Sequence, residues 1–279
     1  MPWKKNEIIS LLLEAGELAM ANRRTIGWEL KADRSLVTET DRAIEALLTK
    51  ALERPESGTF IIGEETVDEK GEDYVQRALR EEAFVIDPID GTVPYAHKLP
   101  NWGISIGHMV EGRLVDGAVY LPMFNEIVLS EGDAVLEGVS VDGKWTWAEL
   151  GEPTPDTDGT RLVAVTQGLA KRGTVDVPNT VMSLGSAVVP LLGLVQGRFV
   201  GYLGNVRLWD AAGALPLLLK KNFHVAIHPD GERREVTAEV SVRIYHLDAG
   251  SPRRWKFRSD LLLCHPDDEE RFRQALVYR

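Results

Sequence analysis

Between residues 6 and 22 the apolar positions Ile8, Ile9, Leu11, Leu12, Ala15, Leu18 and Ala19 recur at helical spacing, which predicts an amphipathic helix. A second stripe, Ala43, Ile44, Leu47, Leu48, Ala51 and Leu52, predicts another helix that starts near Thr40 and is ended by Pro55. The pattern then changes. Thr59-Phe60-Ile61-Ile62 and Ala83-Phe84-Val85-Ile86 are short β-rich runs that stop at Gly63 and Asp87, and both read as strands. Residues 102–110 and 114–121 flank Glu111-Gly112-Arg113, a hairpin pattern, and Phe124 to Ser130 reads as the next strand. Gly151 to Gly159 is turn-rich and poor in apolar residues, so it is the expected linker. Beyond it the pattern predicts a strand at Leu162–Val165, a helix at about Ala187–Val195 and a strand at Phe199–Leu203. A helix opened by Asp210 and running through Ala211–Leu219, further strands and a terminal helix from about Asp267 complete the chain. The expectation is a mixed α/β chain with an N-terminal α+β part (1–155) and a C-terminal α/β part (156–279).

Charge and composition narrow the chemistry. The formal net charge is −11 over 279 residues, and no dense Lys/Arg run is present, which argues against a nucleic-acid polymer as partner. An acidic chain that handles an anionic ligand must neutralise it locally, and bound cations do that. The single cysteine, Cys264, excludes an internal disulfide and fits a cytoplasmic setting. It lies in the apolar run Leu261-Leu262-Leu263-Cys264 and reads as a buried strand residue, not a nucleophile. The N-terminal residues lack the apolar region of a signal peptide. Residues 177–197 carry no charge, but Pro178, Asn179, Pro190 and three glycines fit a buried strand, turn and helix better than a membrane span.

Two predicted strands end in acids: Ile62-Gly63-Glu64-Glu65, and Ile86-Asp87-Pro88-Ile89-Asp90-Gly91-Thr92. In α/β folds functional groups gather where strands end. Pro88 fixes its own φ and needs no hydrogen-bond acceptor, so the step between Asp87 and Asp90 is expected to be stiff. Gly91 permits close approach of a ligand, and the Thr92 hydroxyl can orient a water. Carboxylates at this density suit Mg²⁺ or Mn²⁺, and no Cys/His cluster argues for zinc. Asp210, in Trp209-Asp210-Ala211-Ala212-Gly213, has two readings here: a helix-capping acid, or a further ligand.

Gly63-Glu64-Glu65, Asp87-Pro88-Ile89-Asp90-Gly91-Thr92 and Trp209-Asp210-Ala211-Ala212-Gly213 resemble, in order and spacing, the three motifs of the inositol monophosphatase family. That family belongs to the lithium-sensitive, Mg²⁺-dependent phosphatases, with the fructose-1,6-bisphosphatases and 3′-phosphoadenosine phosphatases. The segments 31–41, Trp102–Gly107 and Leu184–Ala187 add to the likeness, which covers roughly residues 5 to 215. The resemblance implies a layered αβαβα sandwich with the site at the junction of two subdomains. It implies a first metal held by Glu64, Asp87 and the Ile89 carbonyl, and a second held by Asp87, Asp90 and Asp210. A third ion would be reached from Glu64 through water. It further implies that Asp41 and Thr92 orient the attacking water, that Gly91 and Thr92 N–H groups grip the phosphate, and that Gly185 and Ser186 border the substrate. The implied activity is hydrolysis of a small phosphorylated metabolite, and a homodimer is the default assembly.

The likeness thins where substrate is chosen. In inositol-specific members an acid seven positions before the third-motif Asp binds sugar hydroxyls; here that position is Leu203. Leu219-Lys220-Lys221-Asn222-Phe223 stands where the family has Glu-Ala-Gly-Gly. Arg207 reads either as a rim cation for a second phosphate or carboxylate, or as a solvated loop residue. His97 and the charged run Asp68–Glu82 likewise read as site-facing or as plain surface. A 3′(2′),5′-bisphosphate nucleotidase, a histidinol-phosphate phosphatase and a non-catalytic ligand- or partner-binding relative are the alternatives.

Overall fold

The computed structural model describes residues 3–24, 27–30 and 36–278. The quoted segment 31–41 therefore lies partly outside the described residues. The N-terminal half contains α1 (Lys5–Asn22), the paired strands β1 (Trp28–Leu30) and β2 (Leu36–Thr38), α2 (Glu39–Leu52), β3 (Thr59–Gly63), α3 (Glu72–Ala78), β4 (Glu82–Asp90) and α4 (Thr92–Ala96). It continues through the meander β5 (Gly103–Val110), β6 (Arg113–Leu121), β7 (Glu126–Glu131), β8 (Ala134–Val141) and β9 (Lys144–Glu149). Strands β3 to β9 form one seven-stranded sheet in sequential order. The hairpin between β5 and β6 turns on Glu111 and Gly112, both at positive φ, the geometry that two-residue hairpin loops demand.

The C-terminal half contains β10 (Leu162–Val165), α5 (Gln167–Arg172), β11 (Gly173–Val175), β12 (Val181–Met182), α6 (Val188–Val195) and β13 (Phe199–Gly204). It ends with α7 (Leu208–Ala212), α8 (Leu215–Lys220), β14 (His224–Ile227), β15 (Arg234–Glu235), β16 (Leu261–Cys264), α9 (Glu269–Gln274) and β17 (Leu276–Tyr278). Its six-stranded sheet has the order β12-β10-β13-β16-β14-β15, and β11 pairs with β17.

Three apolar clusters show five layers. On one face of the large sheet, Ile8, Leu12 and Ala15 of α1 and Ile44 and Leu48 of α2 pack with Ile61, Phe84 and Ile104. The opposite face (Phe60, Val85, Val119), helices α6 to α8 (Leu192, Trp209, Leu218) and the inner face of the second sheet (Ala164, Tyr202, Leu263) share a single core. Val163, Leu203, Leu262 and Cys264 on the outer face of the second sheet meet Leu169 of α5 and Phe272 of α9. This is the expected αβαβα sandwich. The middle layer sits against the large sheet almost without spacer atoms. A Cβ at Gly107 would come within 2.5 Å of Ala212 O, and one at Gly117 within 2.2 Å of Gly213 O, so glycine is required where α7 lands.

Several expectations are corrected. β4 does not stop at Asp87 but pairs with β5 as far as Asp90. The helix expected through Ala211–Leu219 starts earlier, at Leu208, and breaks into α7 and α8. The sheet gains the hairpin β8–β9, which the hydrophobic pattern leaves unassigned. Of the further strands expected before the terminal helix, β14, β15 and β16 form, and residues 236–257 between them do not continue the pattern. They are largely irregular, yet Val236, Val240, Tyr245, Trp255 and Phe257 are buried in the central core. The expected linker is irregular but not loose. Asp156 is buried in it, accepting Asn179 Nδ2 at 2.8 Å and both Arg271 terminal nitrogens at 3.1 Å. The uncharged stretch 177–197 folds into β12 and α6, and no helix among the described residues is long and apolar enough to cross a membrane.

Candidate active site

A β-strand alternates its side chains between faces, so residues three apart point in opposite directions. Asp87 and Asp90 escape that rule through a bulge. Asp87 stands opposite Ser105 and Asp90 opposite Gly103, so three steps on β4 match two on β5. The extra residue turns both carboxylates toward the same face. Pro88 is tolerated because a bulge leaves an N–H unpaired in any case. Ile89 points the other way, into the α1/α2 core. On the shared face lies α7: Ser105 Oγ donates to Trp209 O at 3.2 Å and accepts from Gly213 N at 3.1 Å. Those bonds, with the glycine contacts, bring Asp210 over the bulge.

Asp210 is the third residue of α7, and its carboxylate accepts the backbone N–H of Arg207 at 2.7 Å. It therefore closes the first turn of its helix from inside, and it also faces the acids. Glu64 follows the last residue of β3 and donates its N–H to Ile86 O at 3.2 Å. Glu64, Asp87 and Asp210 each present an oxygen within 4.8 Å of the others. The two readings of Asp210 are thus compatible, since its helix-terminal bond directs it into the cluster.

Asp87 is 1% exposed, and among the described residues neither of its carboxylate oxygens has a hydrogen-bond partner. Buried carboxylates are ordinarily satisfied, and this one is surrounded by acids instead. Burial first, then the Glu64, Asp90 and Asp210 charges, push the Asp87 carboxyl well above the usual range. Burial and the Asp90 and Glu64 charges raise Asp210 to about 8. Burial raises Asp90 to about 6, against three donors that favour its charged form. Those donors are Ser186 Oγ, Ala187 N at 2.7 Å and Val188 N at 2.8 Å, all on Oδ2. One Asp90 oxygen thus holds the start of α6. A cluster whose acids raise one another, with a donor-free carboxylate at its centre, fits a hard divalent cation.

Asp41 is positioned by the start of α2. Its Oδ2 accepts the Thr38 N–H at 2.9 Å and the Thr38 hydroxyl. Its Oδ1 lies 3.4 Å from Thr92 Oγ1, which is also 3.2 Å from Ile89 O. The two residues expected to pair are therefore together. Gly91, at φ +90°, precedes α4; a Cβ there would stand 2.7 Å from Asn101 O and 2.9 Å from Ser186 Cβ. Its N–H and that of Thr92 open the helix.

Two clefts adjoin the acids. One of about 270 Å³ is lined by Glu64, Asn205, Val206, Arg207, Asp210 and Lys256. The other, about 140 Å³, is lined by Asp90, Gly185, Ser186, Gln167, Tyr202 and Asp210. Arg207 thus lies at the cleft, stacked over Trp209 at 5.5 Å, and is not a solvated loop cation. Leu203 is fully buried in the outer cluster and reaches neither cleft. His97 is exposed and lines neither cleft, and within the charged run Asp68–Glu82 helix α3 buries Val75 and Ala78.

Sequence reasoning missed Glu45 and Lys256. Glu45 is 1% exposed and accepts the Glu65 N–H at 2.9 Å, which braces the loop carrying Glu64. Its position beside Ile44 on the buried stripe of α2 was the available signal. Lys256 gave none, because its segment is placed by long-range contacts.

The inositol monophosphatase family model matches residues 6–222, and the chain belongs to the inositol monophosphatase family. The Escherichia coli Nus factor SuhB is 27% identical over 254 residues, covering 86% of this chain and 88% of that protein. Inositol monophosphatase 2 of Solanum lycopersicum is 30% identical over 226 residues, 76% of this chain and 82% of that one. Among solved structures, an IMPase/NADP phosphatase complexed with Mg²⁺ and phosphate superposes with a TM-score of 0.70 at 14% identity, over 97% of this chain and 93% of that one. That likeness concerns the fold. Family membership supports a phosphatase.

Proposed function

We propose that the chain is a divalent-metal-dependent phosphomonoesterase acting on a small phosphorylated molecule. The observation that carries this is the buried, donor-free Asp87 carboxylate with Glu64 and Asp210 within 4.8 Å. Glu64, Asp87, Asp90, Asp210 and the Ile89 carbonyl would hold two or three Mg²⁺ or Mn²⁺ ions. Bound there, such ions supply charge neutralisation to a phosphoryl group and acidify a water. The chain's own groups do the rest. The Thr92 hydroxyl can give its one proton to Asp41 Oδ1 or to the Ile89 carbonyl, and it keeps lone pairs with which to accept a proton of a water and fix its direction. The Gly91 and Thr92 N–H groups, at the start of α4, are donors for phosphoryl oxygens. The mechanism needs no nucleophilic side chain, which suits a buried Cys264. A homodimer, a cytoplasmic setting and lithium inhibition belong to the same proposal. An inositol phosphate is not favoured among substrates, because Leu203 offers no hydrogen bond.

The second reading, a relative that binds a partner without turnover, draws on the Nus factor name of the E. coli protein. Phosphate release from inositol 1-phosphate, fructose 1,6-bisphosphate, 3′-phosphoadenosine 5′-phosphate and histidinol phosphate, with Mg²⁺ and then with EDTA, tests both. EDTA-sensitive release that disappears in Asp87→Asn is the expected result. No release with Mg²⁺ or Mn²⁺ rejects the enzyme reading for these esters and favours the second.

A further inference from the structure

A cavity of about 590 Å³ lies outside the acidic cluster. It is lined by Arg172, Arg253, Lys256, Arg258 and Arg273, against the carboxylate of Asp260. In a chain of net charge −11, five cations to one acid among the described residues around one cavity is a reversal of the local field. Arg273 is paired with Glu270 at 2.6 Å, but among the described residues no ion pair reaches Arg172, Arg253, Lys256 or Arg258. Asp260 offsets one of these charges, with Arg172 beside it, and the remaining excess of positive charge suits an anion.

The cavity joins the catalytic cleft. Asn205 and Lys256 line both. The segment after β13 and the irregular segment 253–259 are stitched together: Leu208 N donates to Trp255 O at 2.8 Å, Phe257 N to Val206 O at 3.2 Å, and Asn205 Nδ2 to Phe257 O at 2.9 Å. Arg207 and Lys256 form the bridge between them. Trp255 is held at φ +72°, a region a tryptophan rarely adopts, with its N–H on His246 O at 2.7 Å and its ring against Trp209 at 6.2 Å. Strain of this kind persists only where the surroundings over-determine it. Here it fixes Lys256 between the basic cavity and the helix that carries Asp210.

We infer that the cavity is a subsite for a second phosphate of the substrate, so that the preferred substrate class is a small bisphosphate. One phosphate lies at the acidic cluster and the other among Arg172, Arg253, Lys256 and Arg258. This rests on the phosphomonoesterase reading above for the first phosphate, though not for the second. It also accounts for a buried Leu203: recognition comes from a charged pocket and not from an acid that binds sugar hydroxyls.

Two measurements on the full chain test it. Metal-free protein is titrated with inorganic pyrophosphate, comparing wild type with Lys256→Gln and Arg172→Gln. Both variants are expected to bind at least tenfold more weakly, the loss of one charge-assisted contact. In Mg²⁺, kcat/KM is then compared for fructose 1,6-bisphosphate against fructose 1-phosphate, and for 3′-phosphoadenosine 5′-phosphate against adenosine 3′-phosphate. At least one bisphosphate is expected to be preferred tenfold or more, with the preference lost in both variants. Pyrophosphate affinity unchanged in both variants, or no binding by wild type, overturns the inference. A preference that both variants retain overturns it too. No turnover of any ester alongside variant-sensitive pyrophosphate binding supports the anion site while rejecting the enzyme reading.

Discussion

Replacing Asp87 by Asn should stabilise the metal-free protein, and that advantage should disappear once metal is present. The magnitude follows from the cluster. With facing oxygens within 4.8 Å, each like-charge pair costs about 3–4 kcal/mol at an effective dielectric of about 20. Two such pairs involve Asp87. Protonation limits the penalty, because Asp87 is raised well above its ordinary value and Asp210 to about 8. A net gain on the order of 3 kcal/mol is therefore expected for the amide near pH 8, and its N–H groups give Glu64 and Asp210 a donor. The sign with pH is fixed. A carboxyl raised in the folded state costs nothing below its unfolded value near 4. It costs progressively more as pH rises toward the folded value. The advantage of Asp87→Asn should thus be small at pH 4.5 and largest at pH 8 to 9. Thermal unfolding in EDTA should show the variant higher by about 6 °C at pH 8, at roughly 2 °C per kcal/mol for a chain of this size. With Mg²⁺ at about a hundred times its Kd, wild type should gain about 2.7 kcal/mol and the variant far less, which removes most or all of the difference. A variant less stable than wild type in EDTA, or an equal Mg²⁺ response in both, would refute the reasoning.

Other expectations follow from the same geometry. Thr92→Val should cut metal-dependent turnover about 100-fold or more while calorimetry finds Mg²⁺ affinity within about twofold, and Thr92→Ser should restore the rate. Mg²⁺ affinity should strengthen between pH 6 and pH 8.5, with protons released on binding, because Asp90 titrates at about 6 and Asp210 at about 8 in the metal-free protein. Calorimetry in buffers of different ionisation heat measures those protons, and their absence would count against the cluster. Leu203→Ala should destabilise by about 2–5 kcal/mol in denaturant unfolding and leave KM for the best substrate unchanged, since the side chain fills the outer core.

The sequence by itself determined the class of fold and the identity of the acids. Helical stripes at 8–19 and 43–52 match α1 and α2, and the β-rich runs ending at Gly63 and near Asp87 match β3 and β4. These are local signals: periodicity and motif spacing lie in neighbouring residues. The same order of motifs carried the resemblance, and with it the pairing of Asp41 with Thr92. Tertiary structure decided what depends on distant segments. The bulge that turns Asp87 and Asp90 to one face exists only in register with β5. Asp210 reaches the acids because Gly107 and Gly117 let α7 touch the sheet backbone, a contact between residues about a hundred positions apart. Ser186 holds Asp90 across a comparable separation. Residues 236–257, without periodic pattern, become core because they lie across both sheets, and they bring Lys256 and the basic cavity to the acidic site. A repeating pattern reports which face of an element is buried, whereas a site assembled from bulges, close approaches and irregular segments is fixed only by the contacts that fold it.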